Sequence, residues 1–369
     1  MTDICIAHGG DLGEPSGGTD RVSAVAAGLV EHGYDVMIVA PTPGGSLHDS
    51  LDSIPVETIN LPTHGVSSQP KRAYHISRRA LAIAAEQDAV IQFEHSTLAG
   101  IGTLCGASGF VLDMHDLAFR SPLYGDLPFG SVVQRAIKAL EHRAVTRARS
   151  VVVVSEAMKK AVVETWNASP NTVHVVPNGY FADRVDPYRS TERVNGRVVF
   201  LGTLHPKLDI DVMSEIAALP DVTEFFIVGN GNRRSELERA SDRHDSLIVS
   251  GRLPDAEAFE LVASASVAVN PQLPSALQAT SSPVKLCYYA ALGVPAVISK
   301  GPELAAQLDE AGAAVSVPPG GDVPSAVRRI LRSDEERERM ADRARRVASE
   351  LKWERRVEQF ITVYDRLLT

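Results

Sequence analysis

Twelve short apolar runs, six in each half of the chain, alternate with longer stretches of helical period, and this alternation does most to narrow the fold. The first series is Asp3–Ala7, Asp35–Val39, Ala89–Gln92, Gly109–Leu112, Ser150–Val154 and Thr172–Val176. Helical patterns at about 20–32, 70–86, 131–147 and 155–166 lie between them. The second series is Arg197–Leu201, Glu224–Val228, Ser246–Val249, Ser266–Val269, Pro295–Ile298 and Ala313–Val317, with helices near 209–217, 233–243, 254–264, 283–292, 302–310 and 322–331. Apolar strands separated by helices are the pattern of parallel sheets with crossover helices. The expected class is therefore α/β, with two doubly wound, Rossmann-like domains.

The 369 residues agree with that count, at roughly 150 residues per domain. The join falls in the turn-rich stretch from Pro177 to Asn195, which contains Pro177-Asn178-Gly179 and Asp186-Pro187. The tail from Ser333 to Thr369 reads as helical, and its last part carries apolar Val357, Phe360, Ile361, Val363, Tyr364, Leu367 and Leu368 at roughly three- to four-residue spacing, the pattern of an amphipathic helix. Such a helix must dock, and it is expected to cross back to the first half. This gives domains of 1–180, joined by a helix at about 354–369, and 181–353.

Lys+Arg number 37 against 46 Asp+Glu, a net charge of −9, so nucleic acid is not an expected partner. Cys5, Cys105 and Cys287 have no metal or redox spacing and lie in apolar runs, as buried small hydrophobes do. The N-terminus lacks a basic region before its first strand, and no apolar run approaches the roughly 20 residues of a spanning helix. A cytoplasmic location is expected. Two basic clusters, Lys71, Arg72, Arg78 and Arg79, then Arg135, Lys138, Arg143, Arg147 and Arg149 against Glu141 alone, suit either solvated helix faces or peripheral contact with an anionic membrane.

Chemistry is expected where glycines and polar residues follow strands. Gly17-Gly18 opens a helix after the first strand, so bare N–H groups and a helix dipole are available to an anionic or hydroxyl-rich ligand. The same glycines would serve a plain strand-to-helix turn. Asp113-Met114-His115-Asp116 puts a histidine between carboxylates at a strand end, suited to binding hydroxyls or carrying a proton. Gly202-Thr203-Leu204 with Lys207, and Val228-Gly229-Asn230-Gly231, offer close backbone approach and a point charge for phosphate. Ser281-Ser282-Pro283-Val284-Lys285 runs into a helix, a plausible phosphate cradle.

In this order the segments resemble the retaining glycosyltransferases of the GT-B fold, family 4, group 1. The resemblance rests on Gly17–Val22, Val151–Glu156, Val175–Gly179, Val228–Gly231, Pro283–Leu286, Ala290–Pro295 and Trp353-Glu354 leading to Tyr364. It is closest to the subgroup with P-x-K-L in the donor motif. It implies two domains facing a cleft, the second holding a nucleotide-diphosphate sugar and the first a glycan, lipid-linked or small-molecule acceptor. On the donor it places Gly17, Gly18, Gly202, Thr203, Lys207, Gly229, Ser282, Lys285 and Tyr288. His115 and Lys285 become the catalytic pair, and Asp116 and Arg120 face the acceptor. It implies no metal and no cofactor. Retention would come from same-face attack. The two glutamates usual in the donor motif are Thr280 and Tyr288 here, and the usual Arg after Gly202 is Thr203. Those departures leave a second reading, a catalytically weak GT-B protein acting as a binding or partner subunit.

Overall fold

The computed structural model describes residues 2–63, 68–121, 124, 129–275 and 277–368. Met1 and Thr369, the outer ends of the expected domains, lie outside them. The chain forms two compact units, Met1–Gly179 with Thr280–Ser282 and Trp353–Thr369, and Tyr180–Ala279 with Pro283–Lys352.

The first unit contains β1 (Ile4–Ala7), α1 (Gly17–Glu31), β2 (Val36–Pro41), β3 (Val56–Ile59), α2 (Gln69–Gln87) and β4 (Val90–Glu94). It continues with α3 (Ser96–Leu104), β5 (Val111–Met114), α4 (Gly130–Arg147), β6 (Ser150–Val153), α5 (Glu156–Trp166) and β7 (Val173–Val175). The strands form one parallel sheet in the order β3-β2-β1-β4-β5-β6-β7. Two of these elements are not foreseen above. β3 is an edge strand, half-buried, and its Val-Glu-Thr-Ile needs no continuous apolar run. In α3, Gly100 and Gly102 mask the helical pattern, yet Gly100 lets the helix lie close against α4, where a Cβ would lie 2.6 Å from the Leu140 carbonyl oxygen, and Gly102 makes room for Phe93 of β4.

The second unit contains α6 (Ala182–Val185), β8 (Val194–Leu201), α7 (Ile210–Ala217), β9 (Glu224–Val228), α8 (Arg234–Ser241), β10 (Leu247–Gly251) and α9 (Asp255–Ala263). β11 (Ala265–Asn270), α10 (Val284–Ala291), β12 (Ala296–Ser299), α11 (Glu303–Glu310), β13 (Ala314–Val317), α12 (Val323–Leu331) and α13 (Asp334–Ala348) complete it. Its parallel sheet runs β10-β9-β8-β11-β12-β13. Separate apolar clusters cover its two faces, as a doubly wound sheet requires. The charged tail is two helices and not one. It breaks between Ala348 and Trp353, where the Tyr180 N–H donates to the Leu351 carbonyl (3.1 Å).

The last helix, α14 (Trp353–Leu368), belongs to the first unit and packs its apolar face on α1. Gly28 permits that approach, since a Cβ there would lie 2.2 Å from Val357 Cγ1. Val357, Phe360, Ile361 and Tyr364 thereby join the core made by β1, β2 and α1. Of the cysteines, Cys5 and Cys287 are buried, whereas Cys105, at the end of α3, is only half-buried. Side-chain caps fix several helix starts: Ser16, Ser155, Asp209, Asp322 and Ser333 accept from the N–H of Thr19, Met158, Val212, Ser325 and Glu336.

Candidate active site

Strand order reverses beside β1 and β4 in the first sheet, and beside β8 and β11 in the second. In doubly wound sheets, ligands bind outside the carboxyl ends of the strands at such points. In the first unit those ends carry His8 after β1, Glu94 and His95 at the end of β4, and His115-Asp116 after β5. They surround a pocket of about 340 Å³ that Arg72 and Tyr124 also line.

The two histidines are paired across strands. His115 Nε2 lies 2.9 Å from Glu94 Oε2 and 3.5 Å from Asp113 Oδ2, ion-pair distances without hydrogen-bond alignment. His95 Nε2 lies 3.1 Å from Asp116 Oδ1. Burial opposes charge on His115, but Asp113 and Glu94 outweigh it and raise its pKa to about 9, so the ring is an imidazolium at neutral pH. Burial likewise opposes charge on His95, and Asp116 reverses the balance upward. His95 is held at φ +87°, a conformation that non-glycine residues seldom adopt and that clusters at functional sites. A Cβ on Gly18 would lie 3.8 Å from His115 Nδ1, so the start of α1 does run beside that ring.

Beneath the pocket, the fully buried Arg21 grips Asp113 with two bonds, Nε to Oδ2 at 2.6 Å and Nη2 to Oδ1 at 2.8 Å. Its Nη1 donates to the Val176 carbonyl (2.9 Å) and Asn178 Oδ1 (3.0 Å), and its guanidinium lies 5.1 Å from the Phe360 ring centroid. Burial would raise the Asp113 carboxyl, but Arg21 and His115 hold it below the usual range. Glu94, Asp113 and His115 are, among the described residues, the set whose ligand atoms lie within 4.8 Å of one another. Two carboxylates there already face two cations, Arg21 and His115, so the donor set is poorly matched to a divalent metal.

Glu141, expected as the lone acid of a basic helix face, turns inward. It accepts from Ser96 Oγ (2.7 Å) and from the Ala118 and Phe119 N–H groups (2.9 and 3.1 Å), shaping the loop after Asp116. Burial lifts its pKa to about 6. Arg72 is also not on the surface, and Arg79 pairs with Glu57, whereas Lys71 and Arg78 of the same cluster are exposed. Arg120 does not line the pocket; its guanidinium stacks on the Phe119 ring at 5.3 Å.

In the second unit, Lys285 lies in the first turn of α10, its Nζ 3.8 Å from the Phe200 ring centroid. A Cβ on Gly202 (φ +123°) would come within 2.9 Å of that Nζ, and a Cβ on Gly229 (φ +145°) within 2.0 Å of the Gly202 carbonyl oxygen. Both glycines are therefore demanded by the close meeting of the β8 and β9 ends beneath the lysine. The Leu201 N–H donates to Tyr289 Oη (2.9 Å), which fixes the end of β8. Burial, and then the Lys207 charge, lower the Lys285 pKa to about 7. Thr203 is exposed and Lys207 half-buried nearby.

Two expected donor residues lie elsewhere. Tyr288 is 5% exposed in the apolar core, its ring 4.8 Å from Phe259 and 6.3 Å from Tyr180, centroid to centroid. Ser282 belongs to the first unit, where its Oγ accepts from the Asn178 N–H (3.1 Å) and its carbonyl from Asn178 Nδ2 (2.7 Å). Thr280 sits beside it and accepts from Ser155 Oγ through its carbonyl (3.1 Å). His8, Arg72, Glu94 and His95 are the residues that sequence reasoning missed. His8 directly follows the expected strand Asp3–Ala7, and Glu94-His95 lies just past Ala89–Gln92, which is the signal that could have found these three.

Residues 16–179 match the glycosyl transferase 4-like domain family, and residues 211–362 match the glycosyl transferase-like family. Fold and domain content are those of a GT-B glycosyltransferase. Sucrose-phosphate synthase from Thermosynechococcus elongatus shares the fold with a TM-score of 0.79 at 16% identity, covering 100% of this chain and 99% of that one. Anabaena HepE in complex with UDP-glucose gives 0.75 at 18% identity, covering 99% and 100%. A Bacillus subtilis (strain 168) protein named "Putative teichuronic acid biosynthesis glycosyltransferase TuaH" is 26% identical over 196 residues, 51% of this chain. The match spans 49% of that relative's length. The GT-B chain described here has no helix, among its described residues, long and apolar enough to cross a membrane.

Proposed function

We propose that the protein is a retaining glycosyltransferase. A nucleotide-diphosphate sugar binds the second unit at Lys285, and a glycan, lipid-linked or small-molecule acceptor binds the first-unit pocket. The observation that carries this reading is the lysine over two mutually packed glycines at the strand-order reversal. Departure of a nucleoside diphosphate concentrates negative charge, and a fixed cation with helix N–H groups stabilises it. UDP-sugars are the first donors to test, because HepE is similar in fold and holds UDP-glucose. The His115 imidazolium donates to the reacting sugar. No metal, cofactor or carboxylate nucleophile is assigned. The test is release of nucleoside diphosphate from a panel of nucleotide sugars, with the product anomer read by NMR. No release and no binding from any of them would leave the second reading, a binding or partner subunit, which the burial of Tyr288 favours.

His115→Ala is expected to lower kcat on the order of a hundredfold, with donor affinity changed far less, because the phosphates are held in the other unit. Steady-state kinetics on both substrates checks this split, and an unchanged kcat would remove the residue from the site.

Donor binding should also depend on pH through Lys285. Burial lowers the Lys285 pKa to about 7 in the unliganded protein, and diphosphate oxygens raise it, so binding takes up a proton above pH 7. Affinity is expected to be flat below pH 7 and to fall above it by up to about tenfold per unit. Calorimetry between pH 6.5 and 8.5, in buffers of different ionisation heat, reads both effects; a constant affinity would contradict the assignment.

We place the protein in the cytoplasm, with its acceptor side against an anionic membrane. Support comes from the exposed Arg135, Lys138, Arg143 and Arg147 of α4, beside Phe129 and Val132, which are 82% and 58% exposed. Co-sedimentation with anionic but not neutral vesicles is the expected result.

A further inference from the structure

The first-unit pocket holds two side chains that the proposed transfer does not use. His8 is 7% exposed, and neither ring nitrogen has a hydrogen-bond partner. Its ring is set by Gly10, where a Cβ would lie 2.8 Å from Nε2, and it lines the pocket. Burial, then the charges of His115, His95 and Arg72, keep it neutral, with a pKa lowered to about 3. A neutral imidazole offers one donor and one acceptor, the complement of a sugar hydroxyl.

Arg72, on α2, is 8% exposed and lines the same pocket. Its Nη1 donates to the Pro62 carbonyl (2.7 Å) and Ser68 Oγ (3.2 Å), both neutral oxygens. Among the described residues no carboxylate pairs with it. The acids on the same wall, Glu94 and Asp116, already face His115 and His95. A guanidinium has five N–H donors in a planar fork, and leaving one buried without counter-charge costs stability. An oxyanion brought by a ligand would satisfy it with paired, charge-assisted bonds.

We propose that this pocket receives an acceptor sugar bearing an oxyanion, a carboxylate or a phosphate, with Arg72 holding the oxyanion and His8 a neighbouring hydroxyl. The proposal rests on the reading of the first unit as the acceptor side. The pocket's 340 Å³ lies at the small end of ligand sites, which begin at about 300 Å³, and suits one sugar unit.

The test is calorimetric titration of the full chain, without donor, with glucose, galactose and mannose, their uronates, their 6-phosphates and inorganic phosphate. At least one uronate or sugar phosphate is expected to bind tighter than its neutral parent by about tenfold or more. Which of the two does so identifies the oxyanion. Arg72→Gln should bring that sugar down to the affinity of the neutral parent. Arg72→Lys should keep part of the preference, and His8→Phe should weaken charged and neutral sugars alike. Equal binding of charged and neutral sugars by the unaltered protein overturns the proposal, and needs no variant to fold. So does a preference that survives Arg72→Gln. Inorganic phosphate binding as tightly as the sugar phosphate would mark an adventitious anion site only and also overturn it. Turnover with neutral acceptors alone would refute this inference and leave the transferase reading standing. Binding of a charged sugar without turnover of any donor would do the reverse.

Discussion

Lys285→Ala is expected to reduce transfer by about 10²–10³-fold while the protein stays folded. The side chain lies against Phe200 at the start of α10 and, among the described residues, makes no ion pair with an acid. Its removal therefore leaves no carboxylate stranded. Because its pKa is depressed, the folded state disfavours the protonated lysine, and that cost is greatest below pH 7 and vanishes as pH rises toward the unfolded value. Thermal stability at neutral pH should be unchanged or slightly higher in the variant. Donor affinity should fall and its pH dependence above 7 should disappear with the titrating group. Normal turnover, or a pH profile identical to that of the unaltered protein, would exclude Lys285 from the diphosphate site.

Arg21→Met has the largest expected effect on stability. Arg21 is fully buried, and its hydrogen bonds and the Phe360 ring beside it join α1, β5, the turn after β7 and α14. Without it, Asp113 and Glu94 face each other with His115 as the one remaining cation between them. Removing one member of a buried pair costs about 3–5 kcal/mol, because the other charge is left in a medium that solvates it poorly. For a unit of this size that corresponds to a fall in Tm of roughly 10 °C or more. The double variant Arg21→Met/Asp113→Leu should recover much of the loss, since replacing both partners with apolar groups is far cheaper than breaking the pair. A melting curve unchanged by Arg21→Met would show that the pair contributes nothing to the fold.

The strands and helices were legible because their signals are local. A buried parallel strand is written as a continuous apolar run, and a crossover helix as a period of three to four residues. The exceptions follow from the same physics: β3 is half-buried at an edge, and α3 carries two glycines. The positions of His115 after β5 and Lys285 at the start of α10 were also legible, because the pattern marks those strand and helix ends. Tyr288 was not, since its neighbour Tyr289 points to the end of β8 while Tyr288 turns into the core. One residue along a helix rotates a side chain by about 100°, which the sequence alone does not convert into a direction.

By itself the sequence determined that this chain forms two parallel α/β units, with glycines, a histidine and a lysine at the ends of particular strands. Tertiary structure alone decided which charges meet. Arg21 and Asp113 lie 92 positions apart, and His95 with Asp116, or His115 with Glu94, pair only because β4 and β5 are neighbours in the sheet. Arg72 reads as one more cation on a basic helix, and only the packing of α2 turns it inward beside His8. A charge acquires its chemistry from what surrounds it, and those surroundings are assembled by contacts distant in the chain.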